Sequence, residues 1–103
     1  MDIVTSINRI PVRLPAERWL HIVEGHPELA GYYHDVLGTV AWPEFIVKGE
    51  KDELLAITTV TKGKYLVVVY REASSIDGFV ITAFLTRRIR QIERRELIWK
   101  RQM

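Results

Sequence analysis

All three histidines of this chain, His21, His26 and His34, fall in residues 18–34, RWLHIVEGHPELAGYYH. Imidazole has its ordinary pKa closest to neutrality, so a histidine can take a proton and return it in phosphodiester or acyl chemistry. Two histidines and a carboxylate can divide the acid and base roles between them. On a helical wheel, His21 lies opposite the apolar Trp19, Leu20 and Val23, and Glu24 shares its side three residues on. Two other readings stand beside acid–base chemistry: a metal site, and solvated histidines with no chemistry. Zinc favours histidines three or four residues apart on one helix face. Here the spacing is H-x4-H, interrupted by Gly25, and there is no HExxH. No metal and no cofactor is expected.

A second constellation is ITAFLTRRIR, residues 81–90. Thr82 and Thr86 share one face of a strand and lead into Arg87. Hydroxyls beside guanidinium groups bind phosphate oxygens through charge-assisted hydrogen bonds. Arg87, Arg90 and Arg94 recur at helical spacing, and Arg101 extends the stripe. Tyr70 and Arg71 add a phenol and a cation at the end of an apolar run. The plainer readings are β propensity for the threonines and a solvated helix face for the arginines.

The net charge of +2 hides a segregation, because residues 87–101 hold seven basic side chains against Glu93 and Glu96. A basic tail on an otherwise acidic chain points to a polyanion such as RNA. With 103 residues the chain makes one domain, and its 48% hydrophobic and 27% charged residues are those of an ordinary globular protein. The absence of cysteine excludes disulfides, thiolate ligands and a cysteine nucleophile. No stretch approaches the roughly 20 apolar residues of a membrane span, and the N-terminus lacks a signal-peptide pattern. A cytoplasmic location without membrane association is expected. None of Ser6, Ser74 and Ser75 sits in a nucleophile elbow, and no glycine-rich phosphate loop is present.

The elements that must position these groups follow from patterning. Residues 2–14 read as one strand, with Pro11 marking an edge or an end. Pro15 and Glu17 open a helix that carries Ala16, Trp19, Leu20 and Val23 as its buried stripe and stops at Gly25. A second helix spans 32–40, with Val36, Leu37 and Val40 on one side. Four strands follow: EFIVKG, ELLAITTVT, YLVVVYRE and GFVITAFLT. YLVVVYRE is apolar on both faces and therefore central. In GFVITAFLT, Phe79, Ile81, Ala83 and Leu85 face one way, and Val80, Thr82, Phe84 and Thr86 the other. A final helix over 87–99 carries Ile89, Ile92 and Trp99. The expected fold is α+β: an N-terminal strand and two helices on a four- to five-stranded antiparallel meander, closed by a C-terminal helix.

Three stretches carry a family resemblance: W-x-H-I-x-x-x-H-P-E from Trp19, K-Y-L-V-V-V-Y from Lys64, and G-F-V-I-T-A-F-x-T-R from Gly78. They resemble a phage and bacterial branch of the small ribonuclease and toxin superfamily of the barnase–EndoU–colicin–RelE type, over most of the chain. The resemblance implies a single domain, 1–103, whose helices and sheet form an RNA-binding groove. It implies metal-independent cleavage in which the RNA 2′-OH attacks the adjacent phosphorus. His21 and His26 match the motif histidines as acid–base groups. Thr82 and Thr86 match phosphate-holding hydroxyls, and Arg87 would stabilise negative charge. Arg71, Arg90 and Arg94 are the RNA-binding candidates. Partners implied are RNA and, for a toxin of this fold, an antitoxin protein. The lysine–arginine–tyrosine set of ribosome-dependent relatives is not evident. Two further readings remain: a noncatalytic RNA-binding or protein-interaction module on the same fold, and self-association through Trp42, Tyr32 or Tyr33.

Overall fold

Apolar, β-branched runs form the strands, and the longest of them lie together at the centre of one sheet. The computed structural model describes residues 2–102. In chain order the elements are β1 (Asp2–Thr5), β2 (Pro11–Leu14), α1 (Ala16–Gly25), a 3-10 turn (Pro27–Leu29), α2 (Tyr33–Ala41) and β3 (Phe45–Lys48). They continue with β4 (Leu54–Thr61), β5 (Lys64–Glu72), β6 (Gly78–Thr86), α3 (Ile89–Glu93) and β7 (Leu97–Lys100). The sheet runs β1-β2-β6-β5-β4-β3-β7, so YLVVVYRE is its middle strand. Every neighbouring pair is antiparallel except β2 and β6, which run parallel.

The fold is α+β, but the four- to five-stranded antiparallel meander is replaced by a seven-stranded mixed sheet. Two segments account for the difference. Residues 2–14 make a hairpin rather than one strand. Ser6 organises its turn: its hydroxyl oxygen accepts from the N–H groups of Asn8 and Ile10 and its hydroxyl donates to Glu72 at 2.6 Å. Arg9 adopts a positive φ of 63° to complete the reversal. Residues 87–99 make a five-residue helix and an edge strand rather than one helix. The Leu97–Lys100 segment pairs with β3, which would otherwise be the sheet edge.

Register also departs from simple alternation. A bulge in β6 sets Val69 opposite Thr82 but Tyr70 opposite Val80, leaving Ile81 as the extra residue. Val80 therefore joins Ala83 in the core instead of facing away from it. Thr82, Phe84 and Thr86 lie beyond the bulge and do share a face. In α1 the buried residue is Ile22, while Leu20 is 62% exposed. The stripe is rotated so that Trp19 and Val23 flank the buried side.

One sheet face packs under α1, the 3-10 turn and α2, with Ile22, Leu29, Val36, Leu37 and Val40 against Leu66, Val68, Tyr70 and Val80. The other face carries Val47, Leu55, Ile57 and Val67 and is covered by Ile92 of the short α3. Among the described residues no helix is long and apolar enough to cross a membrane.

Tyr70 is wholly buried, and its hydroxyl has no hydrogen-bond partner among the described residues. Burial, with the nearby Glu72 carboxylate, pushes the phenol pKa far up. An unsatisfied buried hydroxyl costs stability, so Tyr70→Phe is expected to stabilise the fold by about 1 kcal/mol. The measurement is a urea titration. A higher midpoint with unchanged slope is expected, and a lower midpoint would mean that the hydroxyl is satisfied.

Candidate functional site

β6 has strand neighbours on both sides only at its start. It meets β2 through two pairs, Val12 with Gly78 and Arg13 with Phe79. From Val80 to Thr86 its β2-side edge has no strand partner among the described residues. α1 lies along this stretch and places two histidines beside it. His21, exposed on α1, lines a cleft of about 550 Å³ with Arg13, Pro15, Glu17, Arg18, Phe79 and Val80. His26 caps the C-terminus of α1, its N–H donating to the Ile22 carbonyl at 2.8 Å. Its ring centroid is 6.3 Å from that of Phe84, and its Nδ1 is 3.6 Å from Glu28 Oε2. Thr82 and Thr86 flank Phe84 on the sheet face that α3 covers, opposite the face under α1, so that His26 meets Phe84 around the edge of the strand.

The histidine window is thus divided. His21 and His26 stand beside different parts of β6, and His34 is elsewhere. The His34 ring lies edge-on to Tyr33, with centroids 5.3 Å apart, and lines a pocket of about 300 Å³ with Trp42 and Thr58. No group of three or more His, Asp or Glu side chains converges among the described residues.

At the far end of β6 the chemistry becomes cationic. Arg87, Arg88, Arg90 and Arg94 line a groove of about 390 Å³ with Ile89 and Gln91. Among the described residues none of the four forms a salt bridge. The Arg88 N–H donates to the Thr86 hydroxyl at 3.0 Å, which ties the start of the groove to the end of β6. Arg87 Nη1 reaches the β4–β5 turn, 3.8 Å from where a Cβ on Gly63 would stand. Lys62 and Lys64 flank that glycine, which has a φ of 77°.

Other basic residues turn away from this groove. Arg71 pairs with Asp52 at 2.9 Å and stands opposite Phe79 at the start of β6, so it is remote from Arg87. Tyr70 is buried and offers no phenol to solvent. Arg101 does not extend the arginine stripe. It donates to the carbonyls of Trp42 and Pro43, and its guanidinium lies 5.1 Å from the Trp42 ring centroid.

Arg13, Arg18, Phe79 and Asp77 were not legible as site residues. Arg13 Nε and Nη2 donate to the two carboxylate oxygens of Asp77 at 3.0 and 3.1 Å, a fork between residues 64 apart in the chain. Its guanidinium also lies over the Phe79 ring, 5.4 Å from the centroid. No local spacing signals such a pair. Arg88 stood within the basic run, but only the fold shows that it shares the groove.

Comparison with family models, with curated proteins and with solved structures finds no match to this chain.

Two measurements follow. The hydrogen bonds and charge of Arg13 hold the Asp77 carboxyl below the usual value of 3.8. The pair is therefore intact above the ordinary carboxylate range and is lost as pH falls through the lowered value. In carboxyl NMR, Asp77 should titrate below 3.8, and Arg13→Met should return it upward. An unchanged midpoint in the variant would sever Arg13 from this role. Second, Arg90→Ala with Arg94→Ala should weaken binding of a single-stranded polynucleotide. The slope of log affinity against log salt should also become shallower, by about 0.7 for each phosphate that the variant no longer neutralises. Identical slopes would remove these two arginines from any polyanion site.

Proposed function

We propose that this chain is a metal-independent, toxin-type ribonuclease-like protein that binds RNA, and cleaves it, along the edge of β6 that its first helix flanks. The observation that carries this reading is the edge of β6, which among the described residues has no strand partner beyond Phe79, has His21 and His26 beside it, and runs out into arginines that form no salt bridge. A single strand laid along this edge would meet acid–base groups and then a source of positive charge.

Cleavage requires that the 2′-oxygen form a bond to phosphorus while the bond from phosphorus to the 5′-oxygen breaks. The proton of the 2′-OH passes to a base, and a proton passes from an acid to the leaving 5′-oxygen, leaving a 2′,3′-cyclic phosphate. An imidazole near neutrality can serve in either role. His26, beside Phe84 and between the two threonine positions, is the first candidate. His21 is the second, toward the start of β6. Charge on the pentacoordinate phosphorane would be met by Arg87 and by the hydroxyls of Thr82 and Thr86, since oriented donors act most strongly where charge develops. Arg90 and Arg94 would hold flanking phosphates.

A noncatalytic RNA-binding module is the second reading. It is favoured by the arginine groove, whose four guanidinium groups form no salt bridge among the described residues and can hold phosphates without any part played by the histidines. RNA cleavage in EDTA separates the two. Wild-type cleavage should survive chelation and fall by about 10²–10⁴-fold in a folded His26→Ala variant, with His21→Ala measured beside it. Absence of cleavage would reduce the protein to a binder, and equal cleavage by all three proteins would remove His21 and His26 from the chemistry.

A further inference from the structure

The cleft beside His21 differs in chemistry from the arginine groove at the other end of β6. Phe79 and Thr86 stand about 20 Å apart along the strand, so the two features are separate places on one surface. The groove has four arginines without acidic partners among the described residues. The cleft is nearly balanced: Arg13 is spent on Asp77, and Glu17 stands in the lining with Arg18. A balanced cleft has little pull on a bare phosphate. What it does present is flat surface. Phe79 is half-buried, and Arg13 lies over its ring. The Asp77 fork fixes the plane of the guanidinium and so removes the rotamer freedom that a free arginine would lose on binding. A cleft of about 550 Å³ falls within the usual range for a small-molecule ligand.

We infer that the cleft of Arg13, Phe79, Arg18 and His21 is a base-stacking subsite for one unpaired nucleotide of a single strand. The base lies against the Arg13–Phe79 stack. Its phosphate faces Arg18 and His21, which are three residues apart on one side of α1 and both exposed. Aromatic rings and guanidinium planes are the surfaces on which unpaired bases stack, and duplex bases cannot reach them. The subsite therefore selects single strands, whereas the arginine groove responds to phosphate charge of any kind. This inference rests on the reading above only for the identity of the polymer.

The test uses two labelled strands of about ten nucleotides on a 2′-O-methyl backbone, one carrying bases and one base-free, with binding read by fluorescence anisotropy. Neither strand has a free 2′-OH, so neither is consumed by cleavage. Wild-type protein should bind the base-bearing strand about tenfold more tightly than the base-free one. Phe79→Leu keeps the apolar burial and Arg13→Lys keeps the charge. Each should bring that ratio toward one, with a native circular-dichroism spectrum reporting that the variant is folded. Phe79→Trp should preserve the ratio. Equal binding of the two strands by wild type, or a ratio untouched by Phe79→Leu, overturns the subsite. A persisting ratio in a protein that cleaves no RNA supports the subsite and defeats the catalytic reading. Cleavage without a ratio does the reverse, and binding of neither strand together with no cleavage of RNA overturns both.

Discussion

β2 and β6 touch through two residue pairs and then part, and the layout of the candidate site depends on this brief parallel contact. Gly78 makes it feasible. A Cβ there would stand 2.7 Å from the Arg71 carbonyl oxygen and 3.2 Å from that of Pro11, and the first of these distances is one that no side chain tolerates. With a glycine, β2 can close against β6 while β6 also closes against β5. Beyond Phe79 the chain of β2 turns at Pro15 into α1, whose N-terminal residues have no strand to continue. The exposed edge of β6 would invite pairing with another chain. The helix flanks that edge without pairing to it, and this brings His21 and His26 beside the strand.

Two kinds of surface result, at opposite ends of one strand. At the start of β6, charge is internally balanced and the groups are held rigidly, with Arg13 forked onto Asp77 and laid over Phe79. At its end, arginines project from a five-residue helix and its flanks without acidic partners among the described residues. Exposed charges of the second kind act over a Debye length of about 8 Å at physiological salt and gather a polyanion without orienting it. Rigid planar groups of the first kind orient a ligand but attract it weakly from a distance. The strand between them carries Thr82, Phe84 and Thr86 on one face, with the His26 ring beside Phe84.

The C-terminal segment shows why periodicity alone misplaced an element. Ile89 and Ile92 do pack against the sheet, as a helical stripe would. After Arg94, however, the segment faces β3, whose Ile46 and Val47 are almost wholly buried and whose outer backbone edge needs a partner. Pairing at that edge outweighs helical spacing in LIWK, a segment of β-compatible residues. The Lys48 N–H donates to the Glu96 carbonyl and the Arg101 N–H to the Glu44 carbonyl, both at 2.9 Å, closing the strand at its two ends. Trp99 then meets Trp42 edge-on, with ring centroids 5.7 Å apart, instead of lining a helix.

Local pattern sufficed for features whose cause is local. Gly25 and Pro27 end α1, Val36, Leu37 and Val40 form the buried side of α2, and the doubly apolar YLVVVYRE lies at the sheet centre. The exposure of His21 and the common face of Thr82 and Thr86 were likewise legible from periods of 3.6 and 2. Pairing between distant segments was not. The hairpin of residues 2–14 depends on Glu72, more than 60 positions away, and the register of β6 depends on a bulge that no residue type announces. The Arg13–Asp77–Phe79 stack and the separation of His34 from the other two histidines depend on the same long-range closure. Spacing constrains neighbours within a turn or a strand, whereas side chains tens of residues apart meet only where backbone hydrogen bonding and core packing place their elements.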